Sequence, residues 1–175
     1  KKISLIVRNS KPKDLSKSCL LGIKKSKYKN IIIMDGDLQH DPSYIPKFIN
    51  KFNKYEADIV VGVRDFKRRH GLSLLRSFFS RIIVRLFNFF LGKKTKDPMS
   101  GFFIFKKEIY KSKFKYFNKG YKILADIIYS SNENLKVYDY DIIFERRKKN
   151  FSKMNLKVLL QIIEFFLIIL FKKYV

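Results

Sequence analysis

Short apolar runs that do not alternate with polar residues constrain the fold of this chain more than any other feature. The clearest are Ile31–Met34 and Asp58–Val63, the second of which reads DIVVGV. A strand that is apolar at nearly every position must be buried on both faces, which is typical of a parallel sheet covered by helices. The chain between these runs is predicted to form a helix, because Asp41 and Pro42 make a typical helix start, and it ends near Tyr55. The pattern therefore predicts an α/β fold with a mostly parallel sheet.

The remaining elements follow from the same kind of pattern. A short apolar strand is predicted over Ile3–Val7, and a helix with one apolar side over Asp14–Lys27. Further strands are predicted at Gly101–Phe105 and Lys136–Phe144, with a helix from about Tyr121 to Ser131 between them.

Two aspartates two residues apart follow the IIIM strand, in the stretch DGDLQHDP. Ligands of parallel sheets bind beyond the carboxyl ends of the strands, where Asp35 and Asp37 lie and where Arg64 ends the next strand. The two carboxylates and the Gln39 amide oxygen offer the hard oxygen ligands of Mg²⁺ or Mn²⁺, which usually binds substrate phosphates as well. Gly36 is interpreted as a bend that leaves room for a ligand. The stretch therefore predicts a metal site.

The charge of the chain predicts an anionic partner. Lys and Arg number 39 against 15 Asp and Glu, which gives a formal net charge of +24. Such a field favours nucleic acid, phospholipid head groups or phosphorylated substrates, although a coding bias toward lysine is an alternative source of the excess. A nucleic-acid-binding protein would explain the charge but not two carboxylates at a strand end, which repel phosphate unless a metal intervenes. No nucleic-acid-binding module is recognisable in the sequence.

Two segments are amphipathic. Leu72–Leu91 is predicted to be a helix with Arg81 and Arg85 on its polar side and phenylalanines on the other. The last segment of the chain has Phe165–Phe171 as its longest apolar run, which is shorter than the roughly 20 residues of a transmembrane helix. It is interpreted as an interfacial helix or a truncated anchor.

Four motifs occur in an order that resembles a known family. DGDLQHDP, VVGVR, DPMSGF and GYKIL are similar to motifs of the polyprenol-phosphate glycosyltransferases, the dolichol-phosphate mannosyltransferase-like members of glycosyltransferase family 2. The resemblance implies a GT-A fold whose first strands, with the nucleobase pocket, would precede Lys1. It divides the chain into a partial catalytic domain over residues 1–153 and a membrane-interface helix or truncated anchor over residues 154–175.

The resemblance also implies an activity. The expected reaction is the inverting transfer of a hexose, of mannose or glucose type, from a GDP- or UDP-linked sugar to polyprenyl or dolichyl phosphate. The enzyme is expected at the cytoplasmic face of a membrane with an anionic surface, with Mg²⁺ or Mn²⁺ as cofactor and without a nucleic-acid partner. A divalent ion stabilises the departing diphosphate, and the lipid phosphate is already an anion, so that a strong general base is dispensable.

Site residues follow from the resemblance motif by motif. The residues expected to bind the donor are Asp35, Asp37, Gln39 and Arg64, of which the first three would bind the metal. The residues expected to bind the acceptor are Ser100, Gly101, Arg147, Ser152 and Lys153. The residues expected to be catalytic are Asp37, Asp97 and Arg64. Met99 and Phe103 replace the threonine and arginine of the usual D-P-T-S-G-F-R motif, and Asn150 stands where glycine is usual. GYKIL and Asp126 are expected to pack beneath the site.

Several residues have structural alternatives. For Asp41 the alternative is a helix cap, and for Asp97, which precedes a proline, it is the first residue of a turn. His40 is open between a site residue and a loop residue. For the whole chain, the alternatives are an inactive truncated glycosyltransferase, a basic nucleic-acid- or membrane-binding protein, and a phosphatase with an aspartate nucleophile. The motif of those phosphatases normally continues with small or hydroxyl residues rather than L-Q-H, and DPMSGF would have no role in them.

Overall fold

The computed structural model describes a four-stranded sheet with helices on both faces. The described residues are 3–9, 11, 14–64, 84–86, 88–89, 92, 94–110, 123–131, 134–143, 160 and 167. The elements are helix α1 (Leu15–Lys25), strand β1 (Asn30–Ile33), helix α2 (Tyr44–Lys54), strand β2 (Ile59–Arg64), strand β3 (Phe103–Lys106), a short 3₁₀ helix (Lys107–Ile109), helix α3 (Ile123–Ser130) and strand β4 (Val137–Ile142).

The sheet has the strand order β1-β3-β2-β4. Strand β3 is antiparallel to both β1 and β2, whereas β4 is parallel to β2. Strands β1, β2 and β4 therefore run in one direction and β3 runs against them. The predicted α/β fold is confirmed. The sheet is parallel only in the sense that three of its four described strands run in one direction, because the reversed β3, which the sequence did not predict, lies between β1 and β2 and makes both of those pairings antiparallel.

The core has two layers because successive side chains of a strand point to opposite faces. On one face, Ile59, Val61 and Val63 pack with the buried side of α3 and with Ile23 of α1. On the other face, Val60 packs with Phe48 and Phe52 of α2. Residues 59–63 are all buried, as the apolar pattern of the strand predicts.

Acidic side chains accept hydrogen bonds at the start of α1 and in the turn before α2. Asp14 is the N-cap of α1, and its Oδ1 accepts a hydrogen bond from the Lys17 N–H at 3.0 Å. Before α2, the Asp41 carboxylate accepts from the Ser43 N–H at 2.8 Å and from the Ser43 hydroxyl at 2.6 Å. Asp41 thus has a structural role in the turn before α2, although the N-cap residue of that helix is Ser43 and not Asp41.

The predicted strand over Ile3–Val7 is wrong. Residues 3–9 are irregular, and Ile3 is 98% exposed. An apolar run forms a strand only where its backbone finds a partner edge, and this segment pairs with none of the four described strands.

The amphipathic segments lie mostly outside the described residues. Residues 84–86 and 88–89 are helical, as predicted for Leu72–Leu91. Arg147, Ser152 and Lys153, the first three residues of GYKIL, and residues 154–175 other than 160 and 167 also lie outside them. Within the described ranges, none of the helices has both the length and the apolar character that crossing a membrane requires.

Candidate active site

The reversal of β3 brings three loops to one edge of the sheet. Phe103, the first residue of β3, is paired with Ile33 at the end of β1 and with Val61 of β2. The amino end of β3 therefore lies at the carboxyl ends of β1 and β2. Asp35 and Asp37 follow β1, Arg64 ends β2, and residues 94–102 lead into β3, so that these segments meet at the edge where α/β sheets bind ligands.

Asp35 and Gly101 are in direct contact. A Cβ atom at position 101 would lie 2.7 Å from the Asp35 Cγ and closer still to Oδ2. Contacts under 3.0 Å are essentially never made by real Cβ atoms, so only glycine leaves the Asp35 carboxylate where it is. The predicted site residues of DGDLQHDP and DPMSGF are therefore adjacent.

Arg64 and Asp97 form a bidentate ion pair. The Arg64 Nε donates to Asp97 Oδ2 at 2.5 Å, and a terminal guanidinium nitrogen donates to Oδ1 at 2.8 Å. Burial by itself lowers the pKa of Arg64, but the charge and hydrogen bonds of Asp97 raise it above its ordinary value, and the Asp35 carboxylate adds to the increase. Arg64 is therefore positively charged, and its two hydrogen bonds to Asp97 fix the plane of its guanidinium group.

Asp97 also has the structural role that the sequence allowed. Its backbone oxygen accepts a hydrogen bond from the Ser100 N–H at 3.1 Å, which closes a turn. Its carboxylate is fully buried. A buried carboxylate needs a charged partner, and Arg64 is that partner, so the turn and the ion pair are parts of one arrangement.

The loop that carries Asp37 has an unusual backbone. Asp37 Oδ1 accepts a hydrogen bond from the Gln39 N–H at 3.2 Å. Leu38 between them has a φ of 63° and is 77% exposed, although a branched side chain disfavours the left-handed region. Gly36 does not have a positive φ, and a Cβ added there would meet no atom within 4 Å, so the bend does not require glycine. The space it leaves for a ligand stays a prediction.

His40 lies inside the site. Its side chain is buried and its ring centroid lies 5.2 Å from that of Phe102. The pKa of His40 is lowered to about 4, mainly by burial and in smaller part by the charge of Arg64, whereas the charges of Asp37 and Asp97 oppose the change. His40 is therefore neutral near pH 7 and packs behind the loops.

Ser100 uses its hydroxyl within the fold. The hydroxyl donates to the Gly62 carbonyl oxygen at 2.7 Å and accepts from the Phe102 N–H at 3.2 Å. Ser100 thereby ties the loop to β2. Its expected contact with the acceptor stays a prediction.

The donor set fits a divalent ion of the magnesium class. Asp35, Asp37 and Gln39 supply two carboxylates and an amide oxygen within five residues of chain, and Mg²⁺ typically takes one or two carboxylates together with substrate phosphates. Among the described residues, no group of three or more His, Cys, Asp or Glu side chains could hold a metal on its own. These residue types are the ones that such an ion takes beside phosphate ligands, and an ion at this position stays a prediction.

Two residues of the site were not predicted from the sequence. Thr95 is buried, and its hydroxyl donates to the carboxylate of Asp139 at 2.5 Å. The sequence feature that could have indicated this role for Asp139 is the presence of two aspartates in the β4 strand VYDYDI. Aspartate is depleted in strands, so an aspartate there usually has a specific hydrogen-bonding partner.

Comparison with known proteins adds independent information about the chain. The family model described as glycosyl transferase family 2 matches residues 2–114. The chain is 31% identical over 160 residues to a dolichol-phosphate mannosyltransferase of Pyrococcus furiosus, which covers 89% of this chain and 45% of the relative. It is 26% identical over 169 residues to a dolichol-phosphate mannosyltransferase of Mycosarcoma maydis, which covers 93% of this chain and 55% of the relative. The chain thus spans about half the length of these curated relatives.

Proposed function

Since the chain belongs to glycosyl transferase family 2, with the GT-A fold of that family, we propose that the protein transfers a hexose from a nucleotide sugar to a polyprenyl phosphate. The sugar would be of mannose or glucose type, the donor would be GDP- or UDP-linked, and the transfer would invert the configuration at the anomeric carbon of the sugar. One observation carries it: the Asp35 carboxylate, packed on Gly101, lies at the same sheet edge as the bidentate Arg64–Asp97 pair. Two relatives named dolichol-phosphate mannosyltransferase support the acceptor class.

Asp35, Asp37 and Gln39 would hold Mg²⁺ or Mn²⁺ together with the donor diphosphate. The ion, when bound, stabilises the negative charge that develops on the leaving diphosphate. The two aspartates supply its charge-compensating ligands, and Gly101 keeps Asp35 in place because no side chain intervenes.

Arg64 would bind a substrate phosphate. Asp97 fixes the plane of the guanidinium through two hydrogen bonds, so that little side-chain entropy is lost when a phosphate binds. Since the pKa of Arg64 is raised, the side chain keeps its charge throughout the pH range in which the phosphates are ionised. A positive charge that is already in position lowers the activation barrier of reactions in which a diphosphate is the leaving group.

The acceptor needs no strong base. A polyprenyl phosphate already carries a negative oxygen near neutral pH, so the reaction depends on positioning more than on proton transfer. The acceptor contacts proposed for Gly101, Arg147, Ser152 and Lys153 would hold that phosphate against the sugar. Ser100, whose hydroxyl hydrogen is donated to the Gly62 carbonyl oxygen, would act through the loop that it ties to β2.

The acceptor lipid implies work at a membrane surface, which we propose is the cytoplasmic face. The net charge of +24 favours an anionic surface, at about 1 kcal/mol for each nearby Lys or Arg. Leu86 and Phe89, in the described part of the 72–91 segment, are 41% and 81% exposed, which suits insertion among lipid head groups. Residues 1–153 would form the catalytic unit and residues 154–175 a second interfacial segment.

Label transfer tests the proposed function. Purified protein would be mixed with Mn²⁺, radiolabelled GDP-mannose or UDP-glucose, and anionic liposomes that contain polyprenyl phosphate. We expect label in the organic phase from one of the two donors, and no label when polyprenyl phosphate is replaced by a polyprenol without phosphate. Label that appears equally with the free alcohol, or no label from any nucleotide hexose, would contradict the proposal.

A further inference from the structure

A chain of hydrogen bonds joins Asp97 to strand β4. The Thr95 hydroxyl donates to Asp139 Oδ1 at 2.5 Å, and the Lys96 N–H donates to Asp139 Oδ2 at 3.0 Å. The Asp97 N–H donates in turn to the Thr95 hydroxyl oxygen at 3.3 Å. Both oxygens of one carboxylate are thus used to hold the backbone of residues 95–97.

The loop depends on these side-chain bonds because it has no regular secondary structure. Residues 94–102 form no helix or strand, so their backbone groups must be satisfied by other partners. Hydrogen bonds to a carboxylate are about twice as strong as neutral ones, and Thr95 is only 4% exposed. We refer to the Asp139 carboxylate and the Thr95 hydroxyl together as the β4 clamp.

The β4 clamp and Arg64 reach Asp97 from two neighbouring strands. Arg64 ends β2, and Asp139 lies on β4, which is paired with β2 in parallel register, Val61 with Asp139. The backbone oxygen of Asp139 also accepts from the Lys51 ammonium group of α2 at 2.6 Å, which fixes β4 against that helix. The position of the Asp97 carboxylate is therefore fixed in two ways. The β4 clamp holds the Asp97 backbone, and the Arg64 guanidinium pairs with the carboxylate itself.

We propose that Asp139 and Thr95 are positioning residues for glycosyl transfer. The β4 clamp sets the place of the Asp97 backbone, Asp97 sets the plane of the Arg64 guanidinium, and Arg64 contacts the substrate phosphate. The inference rests on the proposed function for that last step. Displacements of about 1 Å at a distance from the reacting atoms can cost up to about a hundredfold in rate, so a loosened clamp is expected to be visible in kcat.

A double-mutant cycle distinguishes positioning from simple stability. Thr95→Val removes the hydroxyl, and Thr95→Ser restores it. Each variant would be assayed for label transfer in two backgrounds, one with Arg64 intact and one with Arg64→Lys. The lysine keeps the positive charge but loses the bidentate geometry. We expect Thr95→Val to lower kcat about tenfold with Arg64 intact and less than about twofold with Arg64→Lys. Thr95→Ser should retain most of the wild-type kcat. An equal loss in both backgrounds, or no loss, overturns the proposal.

Amide hydrogen exchange tests the β4 clamp without reference to catalysis. In Asp139→Ala, the amides of Lys96 and Asp97 are expected to exchange at least about tenfold faster than in the wild type. Asp141→Ala is the matched control, because it makes the same change at an exposed position of the same strand, and it should leave both amides unchanged. If the wild type transfers no sugar, the proposed function fails while exchange still measures the clamp. Unchanged exchange in Asp139→Ala overturns the clamp itself.

Discussion

Replacement of Asp37 by asparagine is expected to lower the rate of sugar transfer about a thousandfold. The substitution removes the negative charge that a divalent ion needs, whereas the amide oxygen can still accept the hydrogen bond that the Gln39 N–H gives to Asp37 Oδ1. Asp37 is exposed, so little packing is lost and the thermal midpoint of unfolding should stay close to that of the wild type. The measurements are kcat for label transfer and the thermal midpoint of both proteins.

Asp41→Asn is the matched control for this experiment. Asp41 lies in the same loop, but its carboxylate accepts from the Ser43 N–H and hydroxyl at the start of α2. Its replacement is expected to leave kcat within about twofold of the wild type, because surface substitutions away from a site change little. A protein with Asp37→Asn that keeps more than about a tenth of the wild-type rate would show that Asp37 does not act as a metal ligand of the kind described.

Replacement of Gly101 by alanine is expected to lower transfer about a hundredfold with only a small change in stability. The new Cβ would overlap the Asp35 carboxylate, and that short side chain can turn away more easily than the backbone can move. We therefore expect the free energy of unfolding to fall by about 1 kcal/mol, while Asp35 leaves the position from which it is proposed to bind the ion. The Mn²⁺ concentration needed for half-maximal transfer should rise together with the loss of rate.

Gly22→Ala provides the same chemical change at a site with open space. Gly22 lies in α1, and a Cβ there would meet no atom within 4 Å. Alanine is about 1 kcal/mol more favourable than glycine inside a helix, so this protein should be more stable and fully active. If Gly101→Ala leaves both the rate and the Mn²⁺ requirement unchanged, the contact between Gly101 and Asp35 has no part in the metal site.

The burial of the strands could be predicted from the sequence, but the direction of β3 could not. Five successive buried positions in β2, residues 59–63, have few structural solutions other than a sheet covered on both faces. The direction of a buried strand cannot be read from the sequence pattern, because its side chains alternate between the two faces of the sheet whichever way the strand runs. The wrong prediction for Ile3–Val7 has a different cause. An apolar run becomes a buried strand only where the edge of a sheet is available to pair with it.

The candidate site was predictable where its residues end strands. Asp35, Asp37 and Arg64 could be assigned to one edge because parallel strands present their carboxyl ends together. The contact of Gly101 with Asp35 depends on the reversed β3 and therefore could not be derived from strand ends alone. The bond between Thr95 and Asp139 joins residues 44 positions apart, and nothing local in the sequence indicates which hydroxyl a strand carboxylate will meet.

Dependence of nucleotide binding on Mn²⁺ is the decisive test of the proposed donor site, because Asp35, Asp37 and Gln39 are proposed to hold a divalent ion and a donor diphosphate together. GDP and UDP would each be titrated into the purified protein by calorimetry, with Mn²⁺ and with EDTA, using the wild type and Asp37→Asn. We expect Mn²⁺ to tighten binding of one nucleotide to the wild type by at least about tenfold, or about 1.4 kcal/mol, and Asp37→Asn to remove this gain. Equal affinity with Mn²⁺ and with EDTA in the wild type would contradict the proposed donor site.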